Sequence, residues 1–526
     1  MLTPEYLADV PESMVQLYAQ VEADILADMA QRLKAYDYWI PASEHQRRVL
    51  LEMGASEQEI LKKLSALTGK SMAELKKLML DAGQQALAAD NAIYQKQGLQ
   101  PPPLRASKPM QQVLNAGYAR TAKLFRNLTR TTAHTASGQL EQALDVAYTK
   151  VTSGAFDYNT AITHAIKSLA KQGLGAVRYP SGRVDTLETA VRRAVMTGVN
   201  QTALQLQMTL ADELGSDLVE VTAHAGARPS HAVWQGQIYS RSGKSRSYPD
   251  FVQATGYGTG EGLGGWNCRH SFYPYFEGTS RTYSKELLDS YQAQNYEYNG
   301  RKMTEYEASQ MQRGIERQIR RWKRENAAMQ AAGLDSTESA VKLRTWQEKQ
   351  KDFLRQTGLK RQNEKERIAG WNRSTAARAT GVVRSAQYQA NRYFSLGSPE
   401  KNLQEYLKEK PIIDLLQTHG VEYKQRISEK EIIVSAGSPT IIGETAHAAE
   451  NREKKADRAK MTIEQAQEYV DSAKLVFYQA ENQTLKFLSD GGYAVLNLNH
   501  KLVTAVPQKW RRKYNVYLKE EEHENT

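Results

Sequence analysis

Apolar residues between Pro11 and Gly98 fall at helical spacing, and Met14, Val15, Tyr18, Val21, Ile25, Met29 and Leu33 trace one face of a helix of several turns. Ser56-x-x-Glu59 and Ser71-x-x-Glu74 match the reciprocal pattern that caps helix starts, and Gly54 and Gly69 are placed to end the turns before them. A small helical bundle over 1–100 is expected. Pro101-Pro102-Pro103 supplies no backbone donors and marks a stiff linker before a new start near Ser107, with Pro109 in its first turn. Helical spacing then runs through Val113, Tyr118, Leu124, Leu140, Ala143, Leu144 and Ala147 to about Lys171.

VRYPSGRVDT breaks that pattern and predicts a hairpin, after which Asp185-x-x-Glu188 caps a helix reaching about Leu214, followed by a strand from Asp217 to Ala223. Between His224 and Phe276 the texture is Gly, Ser, Tyr, Trp and Pro without long periodicity, as in a loop-rich segment that carries a site. Helix returns from about Met303 to Ala332, again over 341–356 after a polar break at Asp335-Ser336-Thr337, and more weakly over 374–407. After Pro411 the alternation is strand-like in IIDLLQTHG, EIIVSAG, KLVFYQ, TLKFLS, GYAVLNL and KLVTAVP, with a helix over 462–471. Asp490-Gly491-Gly492 joins two of these strands as a turn with positive backbone angles.

The expected fold is therefore multidomain and mainly α, with a loop-rich α+β central segment and a small α+β C-terminal domain. The segments are a helical bundle over 1–100, a core with the loop segment over 104–300, a basic helical segment over 301–410 and the α+β domain over 411–526. A chain of 526 residues is too long for one ordinary domain, and its 40% hydrophobic content implies modest cores. The lone cysteine, Cys268, excludes an internal disulfide framework and fits folding in a reducing cytoplasm. The N-terminal segment has no signal-peptide core, and nowhere do 18 apolar residues run together, so a soluble, unexported chain without a membrane partner is expected.

With 70 Lys+Arg against 59 Asp+Glu the net charge is +11, which directs attention to polyanionic partners. Much of the excess is local: residues 301–373 hold 18 basic and 10 acidic side chains. Arg313, Arg317, Arg320, Arg321 and Arg324 are spaced to project from one side of a helix, with Ile315, Ile319 and Trp322 on the other. Such a row clamps phosphates, faces the acidic side chains of a partner protein, or is a solvated face.

HAGARPSHAVWQG and GLGGWNCRHSFYP hold the densest constellation. His224, His231, Cys268 and His270 are four potential ligands, and a thiolate with imidazoles suits tetrahedral zinc, although the spacing is not that of a tight knuckle. In the preferred reading no cofactor is bound: the imidazoles, Asn267 and Arg269 hydrogen-bond the backbone of two loops, and Trp234 and Trp266 supply the local core. A Cys–His nucleophilic pair is the third reading, without an evident oxyanion hole or orienting acid.

TAVRRAVMTGVNQT, VEVTAHAGARPSHAVWQGQIYS, GYGTGEGLGGWNCRHSFYPYFEG, TEYEASQMQRGIERQIRRWKRE and DFLRQTGLKR, in that order, resemble the phage minor capsid protein 2 family, which is related to the minor head proteins of the Mu F type. The resemblance covers about residues 1–375. It implies a low-copy structural protein of tailed-phage heads, made in the host cytoplasm and carried inside the capsid. Portal and capsid proteins and phage DNA would be its partners, with a part in head morphogenesis, packaging or ejection. The family's hallmark positions fall on His224, Gly226, Arg228, Pro229, His231, Trp234, Gly236, Asn267, Cys268, Arg269 and His270.

ETAHAAENREKKADRAKMTIEQAQEYVDSAKLVFY and LKFLSDGGYAVLNLNHKLVTAVP resemble the barnase/colicin-type nuclease domains that phage minor head proteins carry at their ends. This implies a metal-free ribonuclease acting on RNA, with His447, Arg452, Lys455 and Arg458 on a helix and Lys486 and Thr504 on the sheet. The alternative function is then a phage-delivered ribonuclease toxin for which the capsid portion is mainly a carrier. Over 446–526, 13 basic and 12 acidic residues leave no electrostatic footprint for RNA.

Overall fold

The structure is a computed structural model that describes residues 2–154, 156, 158–454, 461–508, 514 and 517, with 451–454 as backbone only. It divides into two compact units, Met1–Val382 and Val383–Thr526.

The first unit opens with α1 (Pro4–Asp9), α2 (Glu12–Ala35) and α3 (Ala42–Lys96), a 55-residue helix. The two internal starts expected at Ser56 and Ser71 do not occur. An unbroken buried stripe through Ile60, Leu64, Leu75, Met79 and Ala82 holds α3 continuous, and the Ser71 hydroxyl donates to its own helix at Leu67 O and Thr68 O (both 3.0 Å). Next come α4 (Lys108–Thr152), capped by Ser107 with proline in the first turn as expected, and α5 (Tyr158–Gln172). The expected hairpin is β1 (Gly175–Arg178) and β2 (Val184–Thr186), leading into α6 (Leu187–Glu213). Thr186, not Asp185, caps α6; Asp185 is buried and holds Arg183 (2.9 Å) and Arg193 (2.7 Å), so its carboxylate is committed elsewhere.

Around the loop segment, β3 (Leu218–Val221), α7 (Pro229–Ala232), β4 (Ile238–Ser240), α8 (Phe251–Thr255) and β5 (Phe272–Pro274) form a small α+β layer. Its antiparallel sheet runs β4-β3-β5, with Glu220 between Ile238 and Tyr273. Then follow α9 (Lys285–Tyr291), the hairpin β6 (Tyr296–Tyr298) and β7 (Arg301–Met303), α10 (Glu305–Ala331) and α11 (Thr337–Thr357). Thr304 and Glu307 close a reciprocal capping box on α10. The main core joins α2, α3, α4, α5 and α6, and the apolar face of α10 buries Ile315, Ile319 and Trp322 against Leu343 and Phe353.

α12 (Arg373–Tyr393) crosses the point of division. The second unit continues with α13 (Pro399–Thr418), β8 (Glu422–Arg426), β9 (Glu431–Ser435), α14 (Ala446–Lys454), α15 (Ile463–Asp471), β10 (Leu475–Gln479), β11 (Thr484–Leu488), β12 (Tyr493–Asn497) and β13 (Leu502–Val506). IIDLLQTHG, expected as strand, is the end of α13: burial at Leu403, Tyr406, Glu409, Ile413 and Leu416 has helical spacing and carries the helix through Pro411. The six strands make one antiparallel sheet in the order β13-β12-β11-β10-β9-β8. The turn at 490–492 is present, with Ser489 N donating to Gly492 O (2.8 Å), but neither glycine has a left-handed φ. The expected class therefore holds: mainly α, with more than one compact unit and an α+β C-terminal part.

Candidate functional site

The end of β3 and the approach to β5 deliver the His/Cys segment onto α6. Cys268 packs with Leu204, Val219, Val221, Trp234 and Phe272, so the segment is anchored by its own small core. Trp234 belongs to that core as expected. Trp266 does not: it is 57% exposed, its ring lying across Gly260, where a Cβ would come within 2.8 Å of it.

His231, Cys268 and His270 converge and are buried. Cys268 Sγ lies 3.7 Å from His231 Nδ1 and 3.6 Å from His270 Nδ1, and the two Nδ1 atoms are 3.4 Å apart. The outer nitrogens are held: His231 Nε2 is 2.8 Å from Glu261 O and His270 Nε2 is 3.0 Å from Gln235 Oε1. His224 stands beside this trio, its ring centroid 4.5 Å from that of His270 with the planes tilted by 31°, and its Nδ1 at 2.7 Å from Ala225 O. Burial lowers all three imidazoles, His224 to about 4 and His270 well below its ordinary value, with neighbouring imidazoles and arginines adding to it, so they are neutral. Burial likewise raises the Cys268 thiol, opposed by the His270 amide. At 2% exposure and with a raised pKa, Cys268 is not built as a nucleophile.

The loops are stapled by the imidazoles as expected, but with Arg228 and Asn200 in place of Asn267 and Arg269. His231 reaches Glu261 O, Arg228 Nη2 donates to Trp266 O (2.6 Å), and Asn200 of α6 donates to Cys268 O (3.1 Å) and His270 O (3.2 Å). Among the described residues the side chains of Asn267 and Arg269 make no such bonds. Asn267 instead sits at φ 55°, a left-handed position that asparagine tolerates. Gly226 (φ 74°) and Gly236 (φ 67°) occupy similar positions, and Pro229 starts α7 behind Arg228.

The arginine row and the His/Cys segment, far apart in sequence, line one cleft of about 490 Å³. Arg313, Arg317 and Arg320 of α10 face Arg228, Arg269 and the trio across it, and Arg192 and Lys365 complete the wall. Part of this charge is neutralised. Glu12 pairs with Arg192 (3.1 Å) and Lys365 (3.2 Å), and Glu188 pairs with Arg320 (3.2 Å) and Arg192 (3.6 Å). Arg269, Arg313 and Arg317 have no ion pair among the described residues. Burial lowers the pKa of Arg269 and Arg313, and their mutual repulsion adds to it at Arg269. Burial also pushes Glu316 up to about 7, weakening the one further acid in the wall. The row does not act as a unit: Arg321 lies 4.3 Å over the Trp322 ring, and Arg324 turns to Ala170 O and the buried Glu22.

In the second unit, Lys486 and Thr504 both pair with Val495 and so share one face of the sheet. Lys486 Nζ lies 4.3 Å over Tyr493 and 5.9 Å over Tyr514, a cation–π setting. His447 is exposed at the start of α14, which packs on β13, the strand of Thr504. Arg452 is on the same helix; Lys455 and Arg458 lie outside the described residues.

No solved structure matches the chain. Two phage proteins are similar to it. One named "Structural protein", from Lactococcus phage LL-H, is 28% identical over 306 residues, covering 55% of this chain and 78% of the relative. Another of the same name, from Lactococcus phage mv4, is 36% identical over 117 residues, covering 22% of this chain and 87% of the relative. The family model described as "Phage minor capsid protein 2" matches residues 2–355, nearly all of the first unit and the lining of the cleft apart from Gln362 and Lys365. The chain thus belongs to the phage minor capsid protein 2 family and is a structural component of the virion.

Proposed function

We propose that this minor capsid protein sits at the portal inside the head and holds packaged DNA through the cleft of its first unit. One observation carries the DNA reading: Arg269, Arg313 and Arg317 converge on one cleft without an ion pair among the described residues, while Arg192, Arg320 and Lys365 beside them are paired. Planar guanidinium forks match phosphate oxygens, and each phosphate contact displaces counterions. The family resemblance supports the portal position. The test is binding of the full-length protein to duplex DNA across a salt series, with Arg313→Glu/Arg317→Glu as the variant. Affinity should fall linearly with salt on logarithmic axes, and the variant should flatten that slope by about 2. Binding that is absent at low salt, or unchanged in the variant, would reject the proposal.

A second reading attaches to the other unit, because α14 with His447 adjoins the strand of Thr504. There His447 would transfer the proton at a ribose 2′-hydroxyl or leaving oxygen, and the cations would neutralise the phosphate, without a metal. On this reading the protein is a ribonuclease effector carried by its capsid portion. Full-length protein should cleave RNA in the presence of a chelator, and His447→Ala should abolish cleavage. A folded wild-type protein inert on RNA removes this reading.

A further inference from the structure

The trio at the floor of the cleft is short of hydrogen-bond donors. The backbone N–H of His224 donates to Gln235 Oε1 (3.1 Å), which fixes that atom as the carbonyl oxygen of the amide. His270 Nε2, 3.0 Å from the same oxygen, therefore carries the ring proton. Glu261 O can only accept, so His231 Nε2 carries the proton of its own ring. Both Nδ1 atoms then present lone pairs, 3.4 Å apart, toward Cys268 Sγ. One thiol proton can satisfy one of them, and the other remains buried without a donor. A cation at the centre satisfies all three atoms at once.

The spacing and the soft donor set suit zinc. Zinc bonds of about 2.0–2.1 Å to nitrogen and about 2.3 Å to sulfur, at tetrahedral angles, place ligand nitrogens about 3.4 Å apart and sulfur about 3.6 Å from each. The observed edges are 3.4, 3.6 and 3.7 Å. Glu261 O and Gln235 Oε1 occupy the place of the outer acceptors that orient metal-bound imidazoles, and the His270 amide points at the sulfur (3.4 Å). His224 is outside the set of mutually close ligand atoms, which comprises His231, Cys268 and His270.

We propose that His231 Nδ1, Cys268 Sγ and His270 Nδ1 bind one zinc ion, with solvent from the cleft at its fourth position. Binding releases the thiol proton, and the resulting Zn–thiolate centre ties the two loops that form one wall of the cleft. Gln235 is a positioning residue for His270.

The experiment is equilibrium dialysis of the full-length protein against zinc, followed by elemental analysis, and the same after replacement by cobalt(II). One zinc per chain is expected, and the cobalt form should show a thiolate-to-metal charge-transfer band with the intense d–d absorption of a tetrahedral site. Cys268→Ser should lose the band, Gln235→Leu should weaken zinc binding by about 10–100-fold, and His224→Ala should keep full stoichiometry. Wild-type protein with a native circular dichroism spectrum that retains less than about a tenth of an equivalent of zinc would overturn the proposal, whatever the variants do. Full zinc retention by Cys268→Ser would also overturn it. Loss of zinc from His224→Ala would overturn the three-ligand assignment, and copper in place of zinc would overturn the choice of metal.

Discussion

Asn200 grips the turn that carries the Cys-x-His pair: its one amide group donates to the carbonyls of both Cys268 (3.1 Å) and His270 (3.2 Å). Asn200 is fully buried, so the two carbonyls have no water to replace it. Asn200→Ala is expected to cost about 2–4 kcal/mol in urea unfolding of the first unit. Asn200→Asp, of equal size, sets carboxylate oxygens against two carbonyl oxygens where it is ionised, and at pH 8 should cost more than the alanine. If the aspartate were the milder of the two, the side chain would be filling space and not holding the turn.

The crossing of α4 and α6 is a reciprocal exchange of glycine and threonine. A Cβ on Gly117 would come within 2.2 Å of Thr202 Oγ1, and one on Gly198 within 2.4 Å of Thr121 Oγ1. Gly198→Ala should therefore destabilise despite its better helix propensity, by about 1–3 kcal/mol. The three nearest atoms all belong to the Thr121 side chain, so adding Thr121→Ala should recover most of the loss. A thermal melt of the single and double variants reads this directly, and strict additivity of the two costs would contradict it.

Much of the fold could be read from residue patterns, because burial leaves its period in the sequence. The face from Met14 to Leu33, the Ser107 start, the 175–186 hairpin and the five strands after residue 430 are local signals. The misreadings arose where a local signal was overruled. Ser56 and Ser71 look like caps, yet the stripe of α3 runs past them; IIDLLQTHG alternates for a few residues inside a longer helical period. The site was legible in its parts and not in its assembly. The imidazoles, the thiol and the arginine row stand out as residue types. That α10 lays Arg313 and Arg317 across a cleft from Arg269 is a tertiary fact with no sequence period. Asn200 and Gln235 carry no motif that distinguishes them from surface amides.

Asp90 gives the protein a pH-dependent weakness. It is buried, Gln207 Nε2 donates to one of its oxygens (2.8 Å), and the other has no partner among the described residues. Burial pushes its pKa up to about 7. Its unfolded pKa is about 3.9, so between about pH 4 and pH 7 the unfolded state ionises while the folded state does not. Stability falls across that window as pH rises, and the loss is complete above pH 7, on the order of 4 kcal/mol. An asparagine side chain at this position copies the protonated acid, so Asp90→Asn should melt higher than wild type at pH 8 and converge with it near pH 4. A stability difference independent of pH would show that Asp90 ionises freely in the fold.

The paired glycines of the 490–492 turn are not equivalent, and the distinction is one of space. A Cβ at Gly492 would lie 2.4 Å from Val506 O and 2.7 Å from the Tyr469 ring, whereas one at Gly491 would meet Tyr469 at 3.3 Å. Val506 pairs with Tyr493 across β12 and β13, so its carbonyl cannot yield without opening the ladder at the end of the sheet. Gly492→Ala is therefore expected to destabilise the second unit by at least about 2 kcal/mol, as forced overpacking does. Gly491→Ala should cost less than about 1 kcal/mol, since only an aromatic edge must shift. Adding Tyr469→Ala separates the causes: it clears the ring from both positions but leaves the carbonyl, so it should not rescue Gly492→Ala. Rescue in chemical denaturation would mean that the tyrosine, not the strand backbone, is what demands glycine there.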